Sequence, residues 1–288
     1  MLRDRVISTC ILVPILISIL FLFSVTQFSC LLFAVCAISA WEWGKLMHFS
    51  ENIYYLWIFV ICSILCITLI MILIHNYLYF NCFFILLSCF SFVIIWWVFM
   101  LLLVLFYPYS SCVWNSSNVL RFCFGLLIIF PFFFGVLTLY KFGYSNNDVN
   151  GKWWLLYVLV LVWINDVSAY IIGQMFGTHK LLKYVSPKKT WEGFIGGILV
   201  STIIAWIISK YMIDVRNFYI IFVCFVCAIL FSVIGDLTES MFKRESGVKD
   251  TGNLIPGHGG ILDRMDSLFS AIPVFTVLLF LLMYIDII

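Results

Sequence analysis

Charge is what this sequence has little of. Only 10% of its 288 residues are Asp, Glu, Lys or Arg, 16 basic against 14 acidic, for a net charge of +2; about 25% is usual in soluble domains. So few and so balanced charges leave no basic face, which excludes nucleic acid as a partner. Disorder is excluded as well, because it needs much charge and few apolar residues, whereas 65% of this chain is hydrophobic. Repeats of fixed period and low-complexity tracts are also missing. The eleven cysteines form no pattern: ten lie in apolar stretches and only Cys112 falls in an expected loop. Cys224-x-x-Cys227 lacks a second pair or a nearby His to complete a metal site. Thiol chemistry is not expected.

What is present is apolar sequence in long runs. A helix needs about 20 such residues to cross a bilayer. Candidate spans lie near 6–25, 29–47, 53–74, 78–106, 118–140, 153–175, 192–212, 217–238 and 267–286. The expected fold is therefore all-α, a polytopic integral membrane protein with about nine transmembrane helices. Met1–Arg5 and the run after it resemble a signal peptide. That run is too long and lacks a cleavage site at its end, so it reads as a retained first helix. Aromatic residues, 19% of the chain, are expected at lipid-facing and interfacial positions.

Lysine and arginine set the orientation. With Arg3 and Arg5 inside the cell and the spans alternating, the inside segments hold eleven basic residues and the outside loops four. This places two charged loops, about 176–191 and 239–266, on one cytoplasmic face, where they can share a site. The charges are also unevenly spread. Residues 1–165 hold ten, residues 166–266 hold nineteen, and Asp286 is the last. Ionisable clusters at a bilayer are functional candidates by default. The expected division is an anchoring region over 1–150, with about five helices, and a catalytic region over 151–288, with about four.

Between Asp166 and Glu192 there are four lysines and no acid: Lys180, Lys183, Lys188 and Lys189. Ser186-Pro187-Lys188-Lys189-Thr190-Trp191-Glu192 reads as a helix start, with Pro inside the first turn, Ser or Thr as cap and Glu near the positive end. Such a start suits phosphate; it equally suits a positive-inside loop that only fixes topology. Asp166 lies well inside the sixth span and needs a polar cavity, a lysine or a cation.

The densest run is 236–266, with ten charges in 31 residues. If the eighth helix continues past Asp236, then Asp236, Glu239, Ser240 and Lys243 share a face. Asp263 and Asp266 share another where the ninth helix is expected to begin. The glycine- and proline-punctuated stretch between them cannot be one helix. Two carboxylate-bearing helix ends then converge across a glycine loop. Carboxylates with few competing ligands suit Mg²⁺, lysine and arginine suit phosphate, and Gly257, Gly259 and Gly260 allow backbone N–H groups close to a ligand. His258 among them can donate to phosphate or move a proton.

The pattern Ser240-x-Phe242-Lys243-Arg244-x4-Lys249-Asp250-x-Gly252-x2-Ile255-Pro256-x-His258-Gly259-Gly260-Ile261-x-Asp263-Arg264-Met265-Asp266 resembles the signature of the phosphatidate cytidylyltransferases, or CDP-diacylglycerol synthases. Ser186–Gly193 is similar to the same family, and Trp41-Glu42-Trp43 more weakly. The likeness is firm over about 160–270; the first 150 residues match mainly in being polytopic.

This resemblance implies transfer of CMP from CTP to phosphatidate at the cytoplasmic face of the inner membrane, giving CDP-diacylglycerol and pyrophosphate. It implies Mg²⁺ as cofactor and K⁺ as a second cation. Catalytic roles carry over to Asp236, Asp263, Lys249, His258 and Arg264. Substrate contacts carry over to Ser186, Lys188, Lys189, Lys243, Arg244, Asp250 and Asp266. Asp236 and Asp263 are the expected Mg²⁺ ligands, with Asp166 for the second cation. Beyond anchoring, the first five spans are open to a lipid groove or a homodimer contact. Two rivals remain at this point. A CTP-dependent lipid-alcohol kinase would pass on the γ-phosphate instead, and a cation-coupled transporter would show paired helix interruptions in both halves.

Overall fold

The computed structural model describes residues 13–74, 83–142, 150–212, 218–252, 254 and 259–285. Its helices, in chain order, are α1 (Val13–Leu22), α2 (Val25–Leu46), α3 (Glu51–Ile74), α4 (Phe83–Leu105), the one-turn α5 (Cys112–Asn115), α6 (Asn118–Lys141) and α7 (Asn150–Phe176). After a two-stranded hairpin, β1 (Lys180–Leu182) and β2 (Ser186–Thr190), come α8 (Trp191–Met212), α9 (Phe218–Glu245), the one-turn α10 (Leu262–Met265) and α11 (Leu268–Ile285). Among the described residues, six helices are long and apolar enough to cross a membrane. Shorter apolar helices of 10–17 residues lie at Val13–Leu22, Phe92–Leu105 and Leu268–Leu282. The chain is an all-α integral membrane protein carrying one small hairpin. Part of the first expected span, residues 6–12, lies outside the described residues.

Local signals end the helices where caps are available. Ser24 accepts the N–H of Gln27 at 3.3 Å while the Gln27 side chain accepts the N–H of Ser24 at 3.0 Å, a reciprocal cap that satisfies two otherwise orphaned donors. Ser117 caps α6 through the N–H of Leu120.

The helix ends gather at two opposite faces. At one, Ser246 donates to the Leu46 carbonyl at 2.6 Å, and Arg121 donates to the carbonyls of Met47 and Trp114. Asn115 there donates to Glu245 at 2.7 Å. At the other, Tyr140 donates to the Phe23 carbonyl, Lys152 to Phe21 and Lys141 to Ile72. Carbonyls left over at helix ends are thus met by side chains at both faces. The C-termini of α2 and α9 lie on the same side as the N-terminus of α6, as the alternating orientation requires.

Much of the aromatic content is interior. The Phe242 ring meets Trp43 edge-on at 5.0 Å and Trp114 at 5.4 Å, and Trp43, Trp57, Trp97 and Phe275 are fully buried. Tyr55, Phe59, Tyr170 and Tyr219 are exposed, as lipid-facing positions require. The expectation of a mainly lipid-facing role therefore describes only part of the aromatics.

Small residues bring α7 and α8 together. A Cβ on Gly193 would lie 2.6 Å from the Ala169 carbonyl and 3.0 Å from Gly173 Cα, and one on Gly197 would sit 2.8 Å from the Ala169 methyl. Ala169-x3-Gly173 against Gly193-x3-Gly197 is the small-residue spacing that lets membrane helices pack backbone to backbone.

The hairpin corrects the sequence reading of Ser186–Lys189 as a helix start. These residues form β2, paired antiparallel with β1, Lys180 opposite Thr190 and Leu182 opposite Ser186. Thr190 is the cap, accepting the N–H of Gly193 at 3.2 Å. Pro187 fits a two-stranded ribbon as readily as a first helical turn, since it lacks an N–H in either place. The pairing is closed at its base by Glu192, which accepts from the Thr178 hydroxyl at 2.7 Å and the His179 N–H at 3.1 Å. Two further boundaries move. The α9 helix runs to Glu245, carrying its charged end on one continuous rod, and Asp263 lies in the separate turn α10 rather than in the last long helix.

Candidate active site

Four elements converge at the charged end of α9. Along α9, Ser240 donates to Asp236 at 3.3 Å and Lys243 Nζ lies 3.4 Å from Glu239, so the expected i, i+4 face exists. From the hairpin, Lys189 Nζ reaches Asp236 Oδ2 at 2.5 Å. From α10, Asp263 Oδ1 takes Lys243 Nζ at 2.9 Å. Beside them, Ser267 donates weakly to Asp166 at 3.4 Å, and its N–H donates to Asp266 at 2.7 Å. The two charged loops share one site.

The two lysine–aspartate pairs differ in setting. The Lys189 and Asp236 side chains keep 30% and 25% exposure, whereas Lys243 and Asp263 keep 13% and 7%. Asp263 is also the centre of the glycine loop. Its Oδ2 accepts the Thr251 N–H at 2.8 Å, the Thr251 hydroxyl at 3.0 Å and the Gly260 N–H at 2.8 Å. Burial works against its ionised form, but Lys243 and the Gly260 and Thr251 N–H groups outweigh that and hold the carboxyl below its usual range. Asp266 goes the other way. Burial, with the Asp236 charge adding, pushes it up to about 6.

The remaining expected residues divide. Arg244 spends its Nε on the Val185 carbonyl at 3.2 Å, tying α9 to the hairpin. Lys188, Lys249, Asp250 and Arg264 are exposed around the site and Ser186 is half-buried at the start of β2. His258 lies outside the described residues. Asp166 is exposed, next to the exposed apolar side chains of Val167, Tyr170 and Ile171. The polar site therefore borders a lipid-facing surface.

Glu42 has no place among the expected residues. It is fully buried on α2 and accepts the N–H groups of Ile261 at 3.1 Å and Leu262 at 2.7 Å. The sequence signals for it were an acid between two tryptophans in an apolar run and the weak family likeness of Trp41-Glu42-Trp43. The glycines owe their place partly to it. A Cβ on Gly260 would lie 2.5 Å from Glu42 Oε1, and one on Gly252 2.7 Å. Gly259 adopts φ +84°, a region that favours glycine. Gly260 thus serves protein carboxylates, where the sequence suggested a ligand.

The donor chemistry can be tested against Mg²⁺. Among the described residues, no three His, Cys, Asp or Glu side chains stand close enough to hold a metal ion by themselves. Mg²⁺ does not require that, since it commonly takes one or two carboxylates and fills its shell with water and substrate phosphate. Among the described residues, Asp166, Asp236, Glu239, Asp263 and Asp266 gather around Lys189 and Lys243. Both Glu239 carboxylate oxygens are buried, with Lys243 Nζ 3.4 Å from Oε1 and the Asp266 carboxyl beside them. This excess of carboxylate fits a divalent cation.

The sequence matches the model of the Cytidylyltransferase family over residues 3–282. The chain belongs to this family. It is 38% identical to a phosphatidate cytidylyltransferase of Haemophilus influenzae, over 96% of this chain and 98% of that one. It is 35% identical to one from Pseudomonas aeruginosa, over 97% of each. A phosphatidate cytidylyltransferase of Staphylococcus haemolyticus is 44% identical over 141 residues, about half of each chain. Family likeness thus extends through the first 150 residues, where the signature alone had little to match.

Proposed function

We infer that this member of the family transfers CMP from CTP to phosphatidate, releasing pyrophosphate and forming CDP-diacylglycerol. The observation that carries the reading is the meeting of the two charged loops: Lys189 from the hairpin on Asp236, and Lys243 on Asp263, in one cluster at the end of α9. The full-length relatives are named for this activity.

The reaction is an in-line displacement. An anionic phosphate oxygen of phosphatidate attacks the α-phosphorus of CTP, the new P–O bond forms, and the bond to the β-phosphate oxygen breaks. The nucleophile carries its charge already, so no strong base is needed. The protein has to bring two polyanions together and offset the charge that builds on pyrophosphate, which is positioning and electrostatics. Lys189 and Lys243 are placed to turn from their aspartates to phosphate oxygens, with Lys188, Lys249, Arg244 and Arg264 around them. Asp236 and Asp263 are the proposed Mg²⁺ ligands and Asp166 the ligand of a second, monovalent cation. Mg²⁺ bound there would neutralise phosphate charge and orient the polyphosphate. Asp166 beside exposed apolar residues of α7 suits a substrate whose headgroup must enter the site while its chains stay in lipid.

The reading extends to nine spans in the inner membrane with the site on the cytoplasmic side. Support comes from the excess of lysine and arginine in the inside segments and the gathering of the α2 and α9 C-termini on one face. The test uses purified protein in detergent with labelled CTP, phosphatidate and Mg²⁺. CDP-diacylglycerol and pyrophosphate are expected, with no product when diacylglycerol replaces phosphatidate. Release of CDP with a phosphorylated lipid would make the chain a kinase and overturn the reading.

A further inference from the structure

We infer that Glu42 is a positioning residue of the transferase site: it holds Thr251, Ile261 and Leu262 so that Asp263 is presented to the reactants. The inference rests on the transferase reading above.

A fully buried carboxylate is costly unless its charge is met by a cation or a set of donors. Glu42, with 0% exposure, is met by donors of one loop. Oε1 accepts the Ile261 N–H, and Oε2 accepts the Leu262 N–H and, at 3.4 Å, the Thr251 hydroxyl. Asp263 grips the same loop from the other side, through the Thr251 N–H and hydroxyl and the Gly260 N–H. Thr251 bridges the two acids with one hydroxyl, 3.4 Å from Glu42 and 3.0 Å from Asp263. Gly252 and Gly260 leave the space that the Glu42 carboxylate fills. So α2, more than 200 residues upstream in sequence, fixes where the Asp263 turn begins. A filler side chain could occupy that volume, but only an acceptor with two oxygens meets two adjacent N–H groups and a hydroxyl together.

Wild type, Glu42→Ala and Glu42→Gln should be purified in detergent and compared in turnover, in KM for CTP, and in hydrogen–deuterium exchange of peptides covering 249–266, α6 and α11. For Glu42→Ala the expected loss is in kcat, on the order of 10²-fold, the scale of a misplaced reacting group, with a smaller change in KM. Exchange should quicken in the loop peptides while α6 and α11 keep their protection. Glu42→Gln retains one carbonyl oxygen and should recover part of both losses. Wild-type kcat and loop protection in Glu42→Ala would overturn the inference. So would protection lost equally across α6, α11 and the loop, which would make Glu42 a support of the whole fold. Should Glu42→Ala not survive purification, wild-type turnover and loop exchange in Glu42→Gln overturn it instead. A wild type that makes no CDP-lipid defeats the activity reading alone, because the exchange comparison needs no turnover.

Discussion

Lys189 and Asp236 are 47 residues apart in sequence and form an ion pair at 2.5 Å, hairpin to helix. A second pair, Lys243 with Asp263, lies beside it in a drier setting. The contrast between a half-open and a nearly closed pair makes the two aspartates separable by experiment.

Asp236→Asn should abolish CTP-dependent conversion with little effect on folding, because a partly exposed pair contributes at most about 1 kcal/mol. Asp263→Asn should abolish conversion and also destabilise, by up to about 3 kcal/mol, since buried Lys243 loses its closer carboxylate and keeps only Glu239 at 3.4 Å. Thermal unfolding in detergent, alongside the CDP-lipid assay, reads both. Equal loss of stability in the two variants would contradict the assignment of settings.

The hairpin separates its adjacent lysines, because neighbouring residues on a strand face opposite ways. Lys189 faces Asp236 and Lys188 is exposed. Lys189→Ala should raise KM for CTP by about tenfold, equivalent to roughly 1.4 kcal/mol, while Lys188→Ala changes it much less. Full kinetic curves at fixed ionic strength distinguish them. Identical behaviour of the two variants would remove the strand-based distinction.

Asp266 gives the site a pH signature. Its folded value of about 6 lies above the 3.8 of an unperturbed aspartate. The folded state therefore binds more protons than the unfolded chain between those values. The stability Asp266 contributes is full below about 3.8 and is lost as pH rises through about 6. Asp263, shifted down, contributes stability that is lost only as pH falls below the ordinary carboxylate range, so it does not interfere in that window. In EDTA, the thermal midpoint should fall from pH 5 to 7, and Asp266→Asn should flatten that fall. An unchanged slope in the variant would refute the assignment.

Gly193→Val should be poorly tolerated, since a Cβ there meets the Ala169 carbonyl at 2.6 Å. Forcing α7 and α8 apart costs more than about 2 kcal/mol by the usual scale of overpacking and displaces the hairpin carried by α8. Loss of both thermal stability and CTP affinity is expected. A variant with the wild-type midpoint and KM would show that the close approach is not required.

Reading the chain alone recovered what depends on local composition. Span positions follow from runs of apolar residues long enough to cross lipid, and the shared face of Asp236, Ser240 and Lys243 follows from helical period. The excess of lysine and arginine on one side placed the two charged loops on one face, where they can share a site, and Arg244 on the Val185 carbonyl joins them.

Tertiary structure decided the rest. Ser186–Thr190 has the residues of a helix start, and it becomes a strand because β1 is there to pair with it and Thr190 is left to cap α8. Glu42 looks like an isolated acid in an apolar run until the loop 220 residues away brings it two N–H groups. Helix period and apolar run length are properties of neighbouring residues, so a single sequence displays them. Which buried acid meets which donors is a property of distant segments brought together, and only the packed chain specifies it.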